Sequence, residues 1–235
     1  KLDGTIWGYT TVGIAQTQEE MDAHLANNKP NWGSKWGAGD VMYADLNGDG
    51  EVTSGSSTLG DHGDLTVIGN SYARYNFGLT LDGSWKGLDF SVFLQGVMKR
   101  DYWLDGPYFW GASGDEWQSA CFTEHLDYWT PDNPDAYYPK PYFGGITKNQ
   151  QVQTGYLQNA AYLRVKNVQI GYTLPKSWTQ KASMESVRFY ISGDNLLTLT
   201  GISAIFDPET LGGDWGPGKL YPLQRTISVG VNVNF

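Results

Sequence analysis

The last fifteen residues constrain this chain more than any other stretch. From Tyr221 the odd positions read Tyr221, Leu223, Arg225, Ile227, Val229, Val231, Val233 and Phe235; the even ones read Pro222, Gln224, Thr226, Ser228, Gly230, Asn232 and Asn234. Successive side chains of a strand point to opposite faces, so this period makes a strand with one apolar and one polar face. A half-buried strand of a soluble sandwich has the same period. Small and amide residues on the second face, however, suit a wet lumen, and the valine run ending in Phe235 suits lipid.

Four further segments repeat the pattern. Tyr75, Phe77, Leu79 and Leu81 alternate with Asn76, Gly78, Thr80 and Asp82, and Leu88, Phe90, Val92 and Leu94 alternate with Asp89, Ser91, Phe93 and Gln95. The short, glycine-flanked link "GSWKG" between them predicts a hairpin turn. A third strand starts near Tyr162 and closes on Val168, Ile170, Tyr172 and Leu174. A fourth starts with Val187, Phe189 and Ile191, after the link "PKSWTQKASMES". Connections within each pair are short or moderate, whereas long segments lie before Ser71, at about 97–160 and at about 198–220. Bacterial outer-membrane barrels have short periplasmic turns and long outer loops. With Phe235 at the periplasmic end, the three long segments face outward.

The expected class is therefore all-β. Five strands cannot close a barrel, whose smallest bacterial form has eight, and an open sheet would leave bare edges. Residues 71–235 are read as the last five strands of a larger barrel. Residues 1–70 are read as an outer loop region with a short helix and an Asp/Asn/Gly loop. The only helical signal lies in residues 7–30, in "TQEEMDAHLANN", with Thr17 or Gln18 at its start and Glu19, Glu20 and Asp22 in the first turn.

Composition agrees: aromatics are 14%, glycines number 30 and charged residues are only 17%, which favours strands and turns over helices. The net charge of -9, with no lysine–arginine run, argues against nucleic acid. No run of 18 apolar residues makes a membrane helix. Cys121 stands alone and reads as an incidental thiol. Lys1 is preceded by neither an initiator Met nor a leader pattern, as expected of a processed chain or the back part of a longer one.

Six motifs occur in order: "GDVMYADLNGDGEV", "YARYNFGLTLDGSWKGLDFSVFLQG", "YLRVKNVQIGYTLP", "VRFYISGDNLLTLTG", "FDPE" and "YPLQRTISVGVNVNF". From Trp7 to Phe235 the chain resembles the C-terminal quarter of SusC-like TonB-dependent transporters of Bacteroidetes-type outer membranes. The resemblance implies a multi-pass outer-membrane protein with a 22-stranded barrel and an N-terminal plug. The plug, the TonB box and the other strands lie outside these residues. It also implies a SusD-like lipoprotein as lid, TonB and the barrel-assembly machinery as partners, and import of oligosaccharides or, second, peptides. Ile227, Val229, Val231, Val233 and Phe235 then resemble the assembly signal. The rival readings are a secreted, calcium-dependent, carbohydrate-binding β-sandwich, and a separate smaller barrel made by oligomerisation of this segment.

Two stretches offer candidate sites. In "YADLNGDGEVTSG", Asp45, Asn47, Asp49, Gly50 and the Glu51 carbonyl match the first half of a calcium loop, with Thr53 at position nine. Ser56 stands where the bidentate glutamate belongs, and Asp61 or Asp64 is the expected substitute. The same residues equally make an Asx-turn loop without metal. In Asp101–Phe143, aromatics lie among Asp and Asn, a mixture that suits sugar rings and hydroxyls. Trp103, Trp110 and, further on, Trp215 are picked for substrate, while most of these aromatics are expected to form the loop's own core or its contact with the lid. Catalytic signatures are lacking: His24, His62 and His125 share no ligand spacing, and Glu116 and Glu124 show no sign of converging as a dyad.

Overall fold

A computed structural model of the chain describes residues 3–111, 121–142, 148–212 and 216–235. In chain order the strands begin with β1 (Thr5–Gly8), β2 (Thr11–Ile14), β3 (Lys29–Pro30), β4 (Val41–Tyr43), β5 (Glu51–Val52) and β6 (Thr66–Asn70). They continue as β7 (Arg74–Trp85), β8 (Leu88–Lys99), β9 (Asp101–Tyr102), β10 (Gln158–Asn159), β11 (Tyr162–Thr173), β12 (Ser186–Thr200) and β13 (Thr226–Asn234). The helices are α1 (Gln18–Leu25) and the single turns α2 (Pro107–Trp110) and α3 (Lys176–Thr179). None of these helices is long and apolar enough to cross a membrane, which says nothing about strands. The chain divides into two units.

One unit comprises Ala73–Arg100, Asn159–Thr210 and Tyr221–Phe235. It is an antiparallel sheet in the order β13-β12-β11-β8-β7. These are the five strands the alternation predicts. Trp85 pairs with Leu88, so Lys86 and Gly87 alone make the turn, with φ of 50° and 86°. Positive φ at both central residues is the hairpin turn whose twist matches the strands. The face bearing Leu79, Leu81, Phe90, Ile170, Phe189, Ile191, Ile227 and Val229 is exposed; Val229 is 80% accessible. The opposite face is polar. There Arg188 on β12 donates to Asp89 on β8, with N···O distances of 2.5 and 2.9 Å, and to Gln169 on β11 at 3.0 Å.

At the end of the sheet away from the hairpin, a bulge between Val165 and Asn167 breaks the register of β11. Lys166 sits in it and pairs with Glu209 at 2.9 Å, while Arg164 pairs with Asp207 at 2.8 Å and Glu209 at 2.9 Å. The "FDPE" motif is thereby pinned to the polar face. The last strand is shorter than the alternation suggests: β13 starts at Thr226, not Tyr221, which is 94% exposed. Pro222 has no N–H for a ladder, and the Leu223 amide goes instead to Asp207 at 3.3 Å.

The other unit comprises Lys1–Tyr72, Asp101–Gln158 and Leu211–Leu220. It holds the small ladders β1-β6, β2-β4 and β3-β5. Residues 7–14, placed within the helical stretch by their sequence, instead contribute to β1 and β2, because Thr5, Ile6, Thr11, Val12 and Ile14 are β-branched and favour strands. The helix itself starts as expected: Thr17 caps α1 by accepting from the Glu20 amide at 3.1 Å. Met21 packs with Ala15 and Met42. The core centres on Tyr43, fully buried, whose hydroxyl donates to the Lys148 carbonyl at 2.9 Å and accepts from Gln153 at 3.0 Å. Burial holds that hydroxyl well above the ordinary tyrosine range.

Candidate functional site

Tight turns in the Asp45–Asp64 loop follow from its glycines. Gly48 and Gly50 have φ of 81° and 88°, where a side chain would be strained. Asp45 accepts from the Gly48 amide at 2.6 Å with one carboxylate oxygen and from the Gly50 amide at 2.7 Å with the other. Asn47 accepts from the Asp49 amide at 2.9 Å, and Asp49 from the Glu51 amide at 2.8 Å. These are Asx turns in series. The Gly50 amide, followed by desolvation in the other direction and the Gly48 amide, leaves the Asp45 carboxyl below the ordinary carboxylate range.

Asp64 is the residue that folds back onto the loop. It is fully buried and accepts from the amides of Leu46 at 2.7 Å, Asn47 at 3.3 Å and Thr53 at 2.7 Å. Asp61 closes a neighbouring turn, accepting from the Ser56 amide at 3.0 Å and hydroxyl at 2.5 Å. That hydroxyl is the main cause of a lowered Asp61 carboxyl. Thr53 contributes its amide, and Glu51 opens β5. Among the described residues no three His, Cys, Asp or Glu side chains gather as a metal group. The arrangement braces a turn chemically, by meeting amide donors with fixed negative charge.

In the aromatic segment, Phe109, Trp110, Trp129, Tyr138 and, downstream, Tyr156 are all buried. Trp110 lies 4.9 Å from Tyr156, 5.1 Å from Phe109 and 6.1 Å from Trp103 between ring centroids. Such edge-on contacts are favourable aromatic packing. Trp103 is half-buried beside Trp110, and Trp215 lies outside the described residues. Burial raises the Tyr138 and Tyr156 hydroxyls far above their usual range. Asp40 and Lys148, which no motif joins, form a buried ion pair at 2.7 Å. Asn149, Gly37 and Tyr142 also donate to Asp40, at 2.9, 2.8 and 3.3 Å. A separation of 108 residues leaves no local signal for such a pair.

No family model matches the chain. It is 27% identical over 247 residues to TonB-dependent receptor P3 of Formosa agariphila, covering 99% of this chain and 22% of the relative. TonB-dependent receptor P26 of the same organism is 28% identical over 242 residues, covering 97% and 22%. The chain thus spans about a fifth of the length of the curated relatives it matches. Among solved structures, that of the RagAB peptide transporter superposes with a TM-score of 0.66 at 24% identity, covering 98% of this chain and 23% of that one. RagAB in its "closed-closed" state gives a TM-score of 0.63 at 22% identity, with coverage of 98% and 23%. The named relatives are receptors and transporters, not enzymes. Strand pattern, motif order and relatives agree: the chain is similar to a segment of the TonB-dependent receptors.

Proposed function

We propose that this segment supplies wall strands and outer loops to a TonB-dependent importer of oligosaccharides in the outer membrane, with peptides as the second substrate class. The observation that carries the reading is the five-stranded sheet. Its one face is apolar and open, its other face is polar and cross-linked by Arg188, and its turns are short at one end. Lipid outside and water inside is the environment that pattern suits. The remaining sheets have two strands each, which does not favour a sandwich. The likeness to a peptide transporter supports a transport role and keeps peptides as the second class. A SusD-like lipoprotein would act as lid, and TonB would act through a plug outside these residues. Deleting the receptor that contains this segment is expected to abolish cellular uptake of its oligosaccharide. Undiminished uptake after deletion, or after loss of TonB, would sink the reading.

Within that reading, Trp103 and Trp110 stand near substrate, and the Asp45–Glu51 loop with Thr53 and Asp61 takes a structural calcium ion. Asn47, Asp49 and Asp45 keep oxygen lone pairs beyond those met by amides, and Ca²⁺ takes six to eight oxygens. Calorimetry of the solubilised receptor is expected to give calcium heats that Asp45→Ala removes, and weaker sugar binding in Trp103→Ala at unchanged barrel yield. Heats at background, or a loss of yield alone, would leave a hydrogen-bonded brace and a packing tryptophan.

A further inference from the structure

The unit built from Lys1–Tyr72, Asp101–Gln158 and Leu211–Leu220 holds 19 Asp and Glu against six Lys and no Arg. Two of those six lysines, Lys35 and Lys140, line one cavity of about 650 Å³, and among the described residues no Asp or Glu lines it. Tyr128, Trp129 and Tyr142 form its aromatic walls. Two carboxylates are bonded to lining side chains, Asp22 to Gln18 at 2.8 Å and Asp40 to Tyr142 at 3.3 Å. The second is neutralised by Lys148 at 2.7 Å. On a unit that otherwise repels anions, this concavity is where positive charge is concentrated. Low-dielectric walls focus such a field on what enters.

Backbone geometry is fixed at one of the two lysines. Lys35 has φ of 56°, a left-handed conformation that costs a non-glycine residue and persists only when neighbours over-determine it. The neighbour is Lys148, whose buried ammonium donates to the Lys35 carbonyl at 3.1 Å. Trp129 is fixed from behind, its indole N–H donating to Gln16 at 2.8 Å.

We propose that this cavity is a subsite for a carboxylate-bearing sugar, a uronic-acid residue of an oligosaccharide. Lys35 and Lys140 meet the carboxylate, the Tyr128 and Tyr142 rings meet the C–H faces, and the hydroxyls of Tyr128 and Thr130 meet those of the sugar. A volume of this size is that of a small-molecule site. An extended peptide would seek a strand edge for its main chain, and none of the described lining residues belongs to β1–β13. The proposal names the substrate class of the import reading and rests on it for the ligand's source.

The test titrates the full receptor in detergent with trigalacturonate, maltotriose and triglutamate, for wild type, Lys35→Gln/Lys140→Gln and the control Lys219→Gln. Trigalacturonate is expected to bind, and to bind about tenfold more weakly in the double variant, the scale of two lost charge contacts. The control should match wild type. Equal affinity in the double variant, equal binding of maltotriose, or preference for triglutamate would overturn the proposal. Wild type alone gives a second measurement: raising salt from about 0.05 to about 0.5 M should weaken trigalacturonate but not maltotriose, and a salt-independent affinity counts against the site. Lysine-independent binding in a receptor needed for glycan uptake refutes the subsite alone. Lysine-dependent binding in a receptor dispensable for uptake refutes the import reading alone.

Discussion

His24 lies in the last turn of α1, with Nε2 2.8 Å from the Tyr43 carbonyl oxygen. A carbonyl only accepts, so Nε2 carries the proton. Burial lowers the pKa of this imidazole from its ordinary 6.5, with the Tyr43 carbonyl and Glu20 pulling weakly the other way. The sign follows: at neutral pH both folded and unfolded chains hold it uncharged, and below about 6.5 the unfolded chain takes the proton first. Protection of α1 amides from hydrogen exchange, corrected for intrinsic rate, is expected to fall as the pH drops below about 6.5. His24→Gln should flatten that fall; an identical profile in the variant would place the sensitivity elsewhere. Asp45 and Asp61, whose carboxyls are lowered from 3.8, contribute to stability above that value and lose it only as pH falls further. At this scale the sequence was legible where partners are close. Thr17 and Glu20 lie three residues apart, and Asp45 and Gly50 five. Asp40 and Lys148 were not legible, because nothing local records what folding brings together. Asp64, buried and bonded to three loop amides, closes the turn over a distance that no local pattern records.

Strands and their turns were the most legible elements, because a two-residue period written in Val, Ile, Phe and Leu against Asn, Ser and Thr has few other meanings. The pattern failed where a backbone requirement overrode it. Tyr221–Arg225 keeps the period but lacks the ladder, since Pro222 cannot donate and Asp207 diverts the next amide. Residues 7–14 failed differently: they border a well-capped helix, and their β-branched content decided for strands. The β7–β8 hairpin allows a sharper check. Gly87 has φ of 86°, and a Cβ there would meet the Thr173 carbonyl oxygen at 2.8 Å. Gly87→Val is expected to cost on the order of 1–3 kcal/mol and to lower the folded fraction seen by heat-modifiable mobility. Lys86→Asn should be neutral, because asparagine tolerates the left-handed conformation. A folded fraction of Gly87→Val equal to wild type would refute the turn assignment.

For the whole molecule, the apolar sheet face and the absence of closure argue together. Phe235 closes the apolar face of β13's alternation, and we propose that it serves recognition during assembly. Removing Phe235 is expected to reduce surface abundance of the receptor several-fold while leaving its synthesis unchanged; equal abundance would count against that role. A larger barrel is legible only as an expectation, through what a sheet of five strands cannot do alone. Among the described residues, strands β7 and β13 each have a ladder partner on one side only. Each is therefore a row of amide and carbonyl groups with a defined register and nothing opposite. The consequence is temporal as much as structural. Both rows are templates from the moment the meander forms, and they will copy any extended chain that arrives first, including a second molecule of the same sequence. Whatever builds this protein in the cell has to present the proper neighbouring strands before a stray one does.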